Sequence, residues 1–112
     1  MLKTGIDLVH LEKIKKVVNN EAAMKRLFHP SEALGSLEHL AGIIAVKEAF
    51  FKALGTLPQW LDIEVCYEPS GKPQLKYTST LQKRIKEVDV SISHDNDYAI
   101  ASVVLQLNEN NE

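Results

Sequence analysis

The chain has 112 residues, 45% hydrophobic and 25% charged, with thirteen basic residues against fifteen acidic ones for a formal charge of −2. That length suits one domain with a modest core and leaves no room for a separate regulatory domain. The charge balance argues against a dedicated nucleic-acid binder, the single cysteine, Cys66, excludes an intrachain disulfide framework, and no apolar run reaches the roughly 18 residues of a membrane span.

Asp7 interrupts the only apolar stretch near the start, so no signal-peptide core is expected and the cytoplasm is the default compartment. Residues 2–9 (LKTGIDLV) predict a first strand, in which Gly5 marks a bulge or a close backbone approach. Residues 10–18 switch to helical spacing, with Leu11, Ile14 and Val18 on one stripe and Glu12, Lys13, Lys15 and Lys16 elsewhere. Asn20 suits the cap of a second short helix whose Ala23, Leu27 and Phe28 share a face, and Pro30 ends it. The strongest helix covers residues 37–54 (LEHLAGIIAVKEAFFKAL), with Ser36 as N-cap and Gly55 just past its end. Ile43, Val46, Phe50 and Leu54 form one apolar stripe and Ile44 and Phe51 a second, so burial over most of the circumference is expected. Residues 61–68 alternate as a strand, Ser70–Gly71–Lys72–Pro73 turns the chain, and residues 74–77 pair back. Residues 79–87 predict a short helix with Leu81 and Ile85 inward. Residues 88–94 set Val88, Val90 and Ile92 against Asp89, Ser91 and Ser93, Asp95–Asn96 turns, and Tyr98–Leu107 returns as the hairpin partner. This order predicts one α+β domain over residues 1–107, with antiparallel strands packed on a long central helix and shorter helices. Residues 108–112 (NENNE) read as a disordered tail.

Two carboxylates stand out. Glu48 sits on the buried helix with Ile44, Phe51 and Lys52 as its same-face neighbours. Burying a bare charge costs several kcal/mol, so it needs a partner. The ordinary partner is Lys52, four residues on; the sharper one is a divalent cation. Asp7 lies within a strand, where its type is unfavourable. It is either a strand-end acceptor or a metal ligand, and two carboxylates with water and phosphate oxygens make up the inventory for Mg²⁺. His94, at a strand end, reads as a structural hydrogen-bonder or a catalyst. Gly71–Lys72–Pro73 by itself is a turn. Residues 1–30 carry six basic residues against three acidic ones, which is either a solvated face or a docking surface.

Taken together and in order, GIDLV (5–9), SE (31–32), AGIIAVKEAFFKALGT (41–56), DIEV (62–65), GKP (71–73) and SISHDNDYAIASVV (91–104) resemble the holo-acyl-carrier-protein synthase family of 4′-phosphopantetheinyl transferases. The resemblance runs over nearly the whole chain, and it implies the 4′-phosphopantetheinyl transferase fold. It also implies transfer of 4′-phosphopantetheine from coenzyme A to a serine of an apo acyl-carrier protein, with release of adenosine 3′,5′-bisphosphate. By the same resemblance, Asp7 and Glu48 look like the magnesium ligands and Lys52 like the lysine on the coenzyme A phosphates. His94 falls in the SISH position near those phosphates, and Lys47, Gly71, Lys72, Pro73 and Ser93 join the expected coenzyme A contacts. Asp7, Glu48 and Lys52 form the expected catalytic set, with Glu48 accepting the serine proton directly or through a water on the metal.

Lys13, Lys16, Lys25 and Arg26 are then expected to meet the acidic carrier protein. The resemblance implies a homotrimer with active sites between subunits, and neither nucleic acid nor membrane as a partner. A non-catalytic relative that binds carrier protein or nucleotide stays open as the alternative. The chain departs from the family at Ile43, where an arginine is usual, and in GSLEH, which lacks basic residues, so a thinner grip on coenzyme A is expected.

Overall fold

The computed structural model describes residues 1–109. Strand β1 (Leu2–His10) leads into helices α1 (Leu11–Val18) and α2 (Glu21–Leu27), followed by the long helix α3 (Leu37–Leu54). A short 3-10 turn (Trp60–Asp62) precedes the hairpin β2 (Ile63–Tyr67) and β3 (Pro73–Tyr77). Helix α4 (Ser79–Arg84) then enters the second hairpin, β4 (Ile85–Asp95) and β5 (Tyr98–Leu107). Three antiparallel strands form the main sheet in the order β1-β5-β4, and β2-β3 form a separate ribbon.

The helix ends follow from local chemistry. Asn20 accepts from the Ala23 amide and Ser36 from the His39 amide, each satisfying an orphan donor of a first turn. Gly55 closes α3 in the left-handed region at φ 83°, where a side chain would be strained. His10 caps α1 through its ring, a role residue type alone does not suggest.

Helix α3 crosses one face of the main sheet, and only Glu38 and Lys52 among its residues are fully exposed. The expected burial on most sides is therefore observed. The facing positions of β5 are Ala99, Ala101, Val103, Leu105 and Leu107, all buried, and the two alanines leave room for the helix. Among the described residues, none covers the opposite sheet face. Leu2, Ile6 and Leu8 of β1 and Ile100 and Val104 of β5 lie exposed on it.

Several boundaries differ from the sequence reading, most of them by one residue. Helix α4 stops at Arg84 and β4 begins at Ile85, because Ile85 buries its side chain when extended and pairs with Leu107. A register shift between Ile85 and Glu87 absorbs the change. Strand β2 starts at Ile63, since Trp60–Asp62 close a 3-10 turn first. At the start of the expected tail, Asn108 donates to the carbonyls of Lys83 and Arg84; residues 110–112 lie outside the described residues. Among the described residues, no helix is long and apolar enough to cross a membrane.

Candidate active site

The site begins with a glycine. On β1, Gly5, Asp7 and Val9 alternate toward α3. A Cβ at Gly5 would lie 1.9 Å from the Ala49 carbonyl oxygen and 2.8 Å from the Ala53 amide nitrogen. Of the two expected uses of Gly5, the close approach is the one found, since the β1–β5 register runs on without a bulge. This contact seats β1 on the stretch of α3 that carries Glu48 and Lys52, and so brings Asp7 to both.

Lys52 reaches across from α3, donating to Asp7 Oδ1 at 2.8 Å and to the Ile6 carbonyl at 3.2 Å. The ordinary expectation for Lys52, an ion pair with Glu48 one turn away, gives way to this contact. Asp7 is 9% exposed, and its second oxygen, Oδ2, is buried without any hydrogen-bond donor. Glu48 faces it. Burial, then the Asp7 carboxylate, push the Glu48 carboxyl up to about 7, against the opposing pull of Lys13 and Lys52. Lys13, from α1, stands 3.9 Å from Glu48 Oε1. Asp7 in turn holds the Lys52 ammonium above the ordinary lysine range.

Two carboxylates from different elements thus face each other with a buried oxygen unsatisfied. A divalent cation that prefers oxygen would fit this arrangement, because it would give Asp7 Oδ2 the partner it lacks and would offset the Asp7 repulsion that adds to burial in raising Glu48. No group of three or more His, Cys, Asp or Glu gathers among the described residues; Asp7 and Glu48 are the two carboxylates that would hold such an ion. Two carboxylates leave coordination positions for water and phosphate oxygens.

A family model of the 4′-phosphopantetheinyl transferase superfamily matches residues 3–103. The chain belongs to this superfamily. It is 46% identical over 110 residues to the holo-[acyl-carrier-protein] synthase of Nautilia profundicola, covering 90% of this chain and 96% of that one. The corresponding enzyme of Alkaliphilus metalliredigens is 36% identical over 115 residues, covering 89% and 94%. Among solved structures, the Helicobacter pylori holo-[acyl-carrier-protein] synthase in complex with coenzyme A superposes with a TM-score of 0.86 at 32% identity, covering 92% of this chain and 99% of that one. The Neisseria meningitidis enzyme follows at 0.84 and 30% identity, covering 93% and 97%. These matches bear out both the family resemblance and the α+β fold.

Within this phosphopantetheinyl transferase the expected contacts divide into separate groups. Asp7, Glu48 and Lys52 come together. His94 does not join them: its Nε2 pairs with the Glu38 carbonyl at 3.0 Å, in the first turn of α3. Ten helical residues separate Glu38 from Glu48, about 15 Å at 1.5 Å per residue. Ser93 is exposed on the far face of the sheet and lines a groove of about 250 Å³ with Leu8, His94, Asp95, Tyr98 and Ile100. Gly71, at φ 91°, turns the β2–β3 ribbon toward Pro73, and Lys72 pairs with Asp89 at 2.9 Å on β4.

Lys47 corrects the sequence reading. It was expected on coenzyme A, yet it is 0% exposed and its ammonium donates to Glu32 Oε1 and to the Leu27 carbonyl, each at 2.7 Å. Burial pulls this ammonium below the ordinary lysine range, with Glu32 opposing. Glu32 had no assigned role. Its Oε1 also accepts from the His29 amide at 2.8 Å and its Oε2 from the Val65 amide at 2.7 Å. An acidic residue near a lysine on a buried helix was the available signal, and a weak one. Ile43, where the family leads one to expect arginine, is fully buried and offers no cation to a phosphate. Lys13, Lys16, Lys25 and Arg26 are exposed on α1 and the last turn of α2, with Lys25 paired to Glu21 at 3.3 Å.

Proposed function

We propose that this protein is a holo-[acyl-carrier-protein] synthase, moving 4′-phosphopantetheine from coenzyme A to a serine of an apo acyl-carrier protein and releasing adenosine 3′,5′-bisphosphate. The observation that carries this reading is the buried convergence of Asp7 and Glu48 beside Lys52, with Asp7 Oδ2 lacking a donor. A carrier-binding relative without activity would have no use for such a pair.

In the transfer, the serine oxygen bonds to the phosphorus that bears the pantetheine arm. The bond from that phosphorus to the bridging pyrophosphate oxygen breaks, and the nucleotide leaves with the electron pair. Such transfer demands positioning and charge neutralisation rather than covalent help. Asp7 and Glu48 would hold Mg²⁺, which would supply charge neutralisation for the pyrophosphate. Lys52, its side chain 59% exposed, adds an ammonium to the same phosphates as a point charge. Glu48 accepts the serine proton through a carboxylate oxygen, directly or by one water. The carrier supplies the nucleophile, so the chain needs none. Lys13, Lys16, Lys25 and Arg26 steer the acidic carrier toward this side of the molecule. A cytoplasmic role in fatty-acid biosynthesis goes with these substrates.

The working unit in this proposal is a homotrimer. The uncovered sheet face, with Leu2, Ile6, Leu8, Ile100 and Val104, is apolar enough to call for a partner. The separation of His94, Ser93 and Gly71–Pro73 from Asp7 and Glu48 supports a site completed between neighbours, each protomer lending the first group to the other's carboxylates.

The test is incubation of the purified protein with apo carrier protein, coenzyme A and Mg²⁺. The expected result is a carrier mass gain of one phosphopantetheine arm, lost on chelation. No gain at millimolar coenzyme A would sink the proposal. Mixing Asp7→Asn with His94→Ala protomers should restore part of the activity that each variant lacks alone, if sites are shared.

A further inference from the structure

Helix α2 rests on the core through two partly buried side chains, Met24 and Leu27. It has seven residues, none of them fully buried, and a helix that short does not hold itself in water. Its C-terminal end is also tied. The Leu27 carbonyl, one of the orphan acceptors of a last turn, receives Lys47 Nζ at 2.7 Å. The next residue, Phe28, is buried with its ring centroid 5.9 Å from the same ammonium.

Lys47 immediately precedes Glu48 on α3. It is clamped by Glu32, and both side chains are 0% exposed. Glu32 is in turn fixed by the His29 and Val65 amides. One buried ion pair therefore joins the end of α2, the connection after it, the middle of α3 and the β2–β3 ribbon. Buried pairs of this kind add little net stability against an apolar replacement, and their better-attested use is to fix register.

We infer that the Lys47–Glu32 pair is a positioning device that sets helix α2, with Lys25 and Arg26 in its last turn, relative to Glu48, and so sets where an acidic carrier docks against the reacting centre. This deepens the reading above and rests on it for the identity of the docking partner. Neither residue touches substrate. Their effect passes through the Leu27 carbonyl and the backbone of α3.

The test is the variant Lys47→Met with Glu32→Gln. It leaves no unpaired charge buried and keeps a side-chain oxygen for the Val65 amide, but it removes the donor to Leu27 and the acceptor of the His29 amide. Amides of residues 21–27 should exchange at least about tenfold faster, with α3 unchanged, the size expected for losing a charge-assisted hydrogen bond. KM for the carrier should rise by about the same factor, with KM for coenzyme A and kcat within about twofold. Lys47→Met alone keeps both Glu32 oxygens for the His29 and Val65 amides while still removing the donor to Leu27, so it should give a change of the same kind, which keeps the test readable should the double variant misfold. Unchanged exchange in α2 overturns the inference. So does a uniform loss of protection or of both KM values, which would mark a merely structural pair. Lys25→Glu with Arg26→Glu tests the docking reading separately. If that reversal raises the carrier KM and the pair variant does not, the positioning role falls and the docking surface stands. If the reversal has no effect, the docking reading falls, and exchange in α2 decides the positioning.

Discussion

Replacing Glu48 by glutamine should stabilise the metal-free protein at alkaline pH while removing its response to magnesium. The Glu48 carboxyl rises from 4.5 in the unfolded chain to about 7 in the fold. A raised acid contributes stability that is complete below about 4.5 and disappears as pH climbs through about 7, because the folded carboxylate must then ionise beside Asp7. At about 1.36 kcal/mol per pKa unit the shift corresponds to roughly 3 kcal/mol. The side chain keeps 23% exposure, and solvent screening brings the expected loss to about 2 kcal/mol. At roughly 4–8 °C per kcal/mol for a domain near this size, that is on the order of 10 °C in Tm. Glutamine carries no such titration. Thermal unfolding followed by circular dichroism, in chelator at pH 5 and pH 8 and at fixed protein concentration, should show the wild type losing this much more than Glu48→Gln. Magnesium at a hundredfold excess over its dissociation constant should then restore about 2.7 kcal/mol to the wild type, and much less to the variant. Equal pH dependence of the two proteins in chelator would refute the confinement of Glu48 against Asp7.

Gly5→Ala should destabilise by at least about 3 kcal/mol, since its methyl meets backbone atoms of α3 that cannot move aside; the urea midpoint reports it. Lys52→Met strips buried Asp7 of its ammonium partner, so it should lower the stability of the metal-free protein, while raising KM for coenzyme A by roughly ten- to a hundredfold through loss of a charge-assisted contact; an unchanged KM would remove Lys52 from the phosphates. Leu8→Glu places a charge on the uncovered sheet face. On the proposed trimeric assembly, sedimentation should then show monomers of the variant against trimers of the wild type, together with loss of transfer.

Much of the architecture was legible because local rules and global packing agree here. The limits of α3, the Ser36, Gly55 and Asn20 caps and the Tyr98–Leu107 strand all follow from residue type and periodicity. The pairing of Asp7 with Glu48 was foreseen as two separate anomalies, a carboxylate in a strand and another on a buried helix. Three features escaped local reading. Ile85 satisfies either a helix or a strand, and only its pairing with Leu107 decides. Lys47 and Lys52 differ little as letters on a helix, yet one is sealed inside against Glu32 and the other reaches solvent and Asp7. His94 reads as a neighbour of the phosphates, but a single chain places it against the opposite end of α3.

The sequence by itself determined which segments curl or extend, which stripes are apolar, and which carboxylates stand in places that demand a partner, because those are properties of neighbouring residues. Only the tertiary structure decided who those partners are. Asp7 meets Lys52 because Gly5 lets a strand lie on a helix, and Lys47 meets Glu32 because the connection after α2 folds back over α3. Such pairings depend on distances between residues far apart along the chain, which no local pattern encodes.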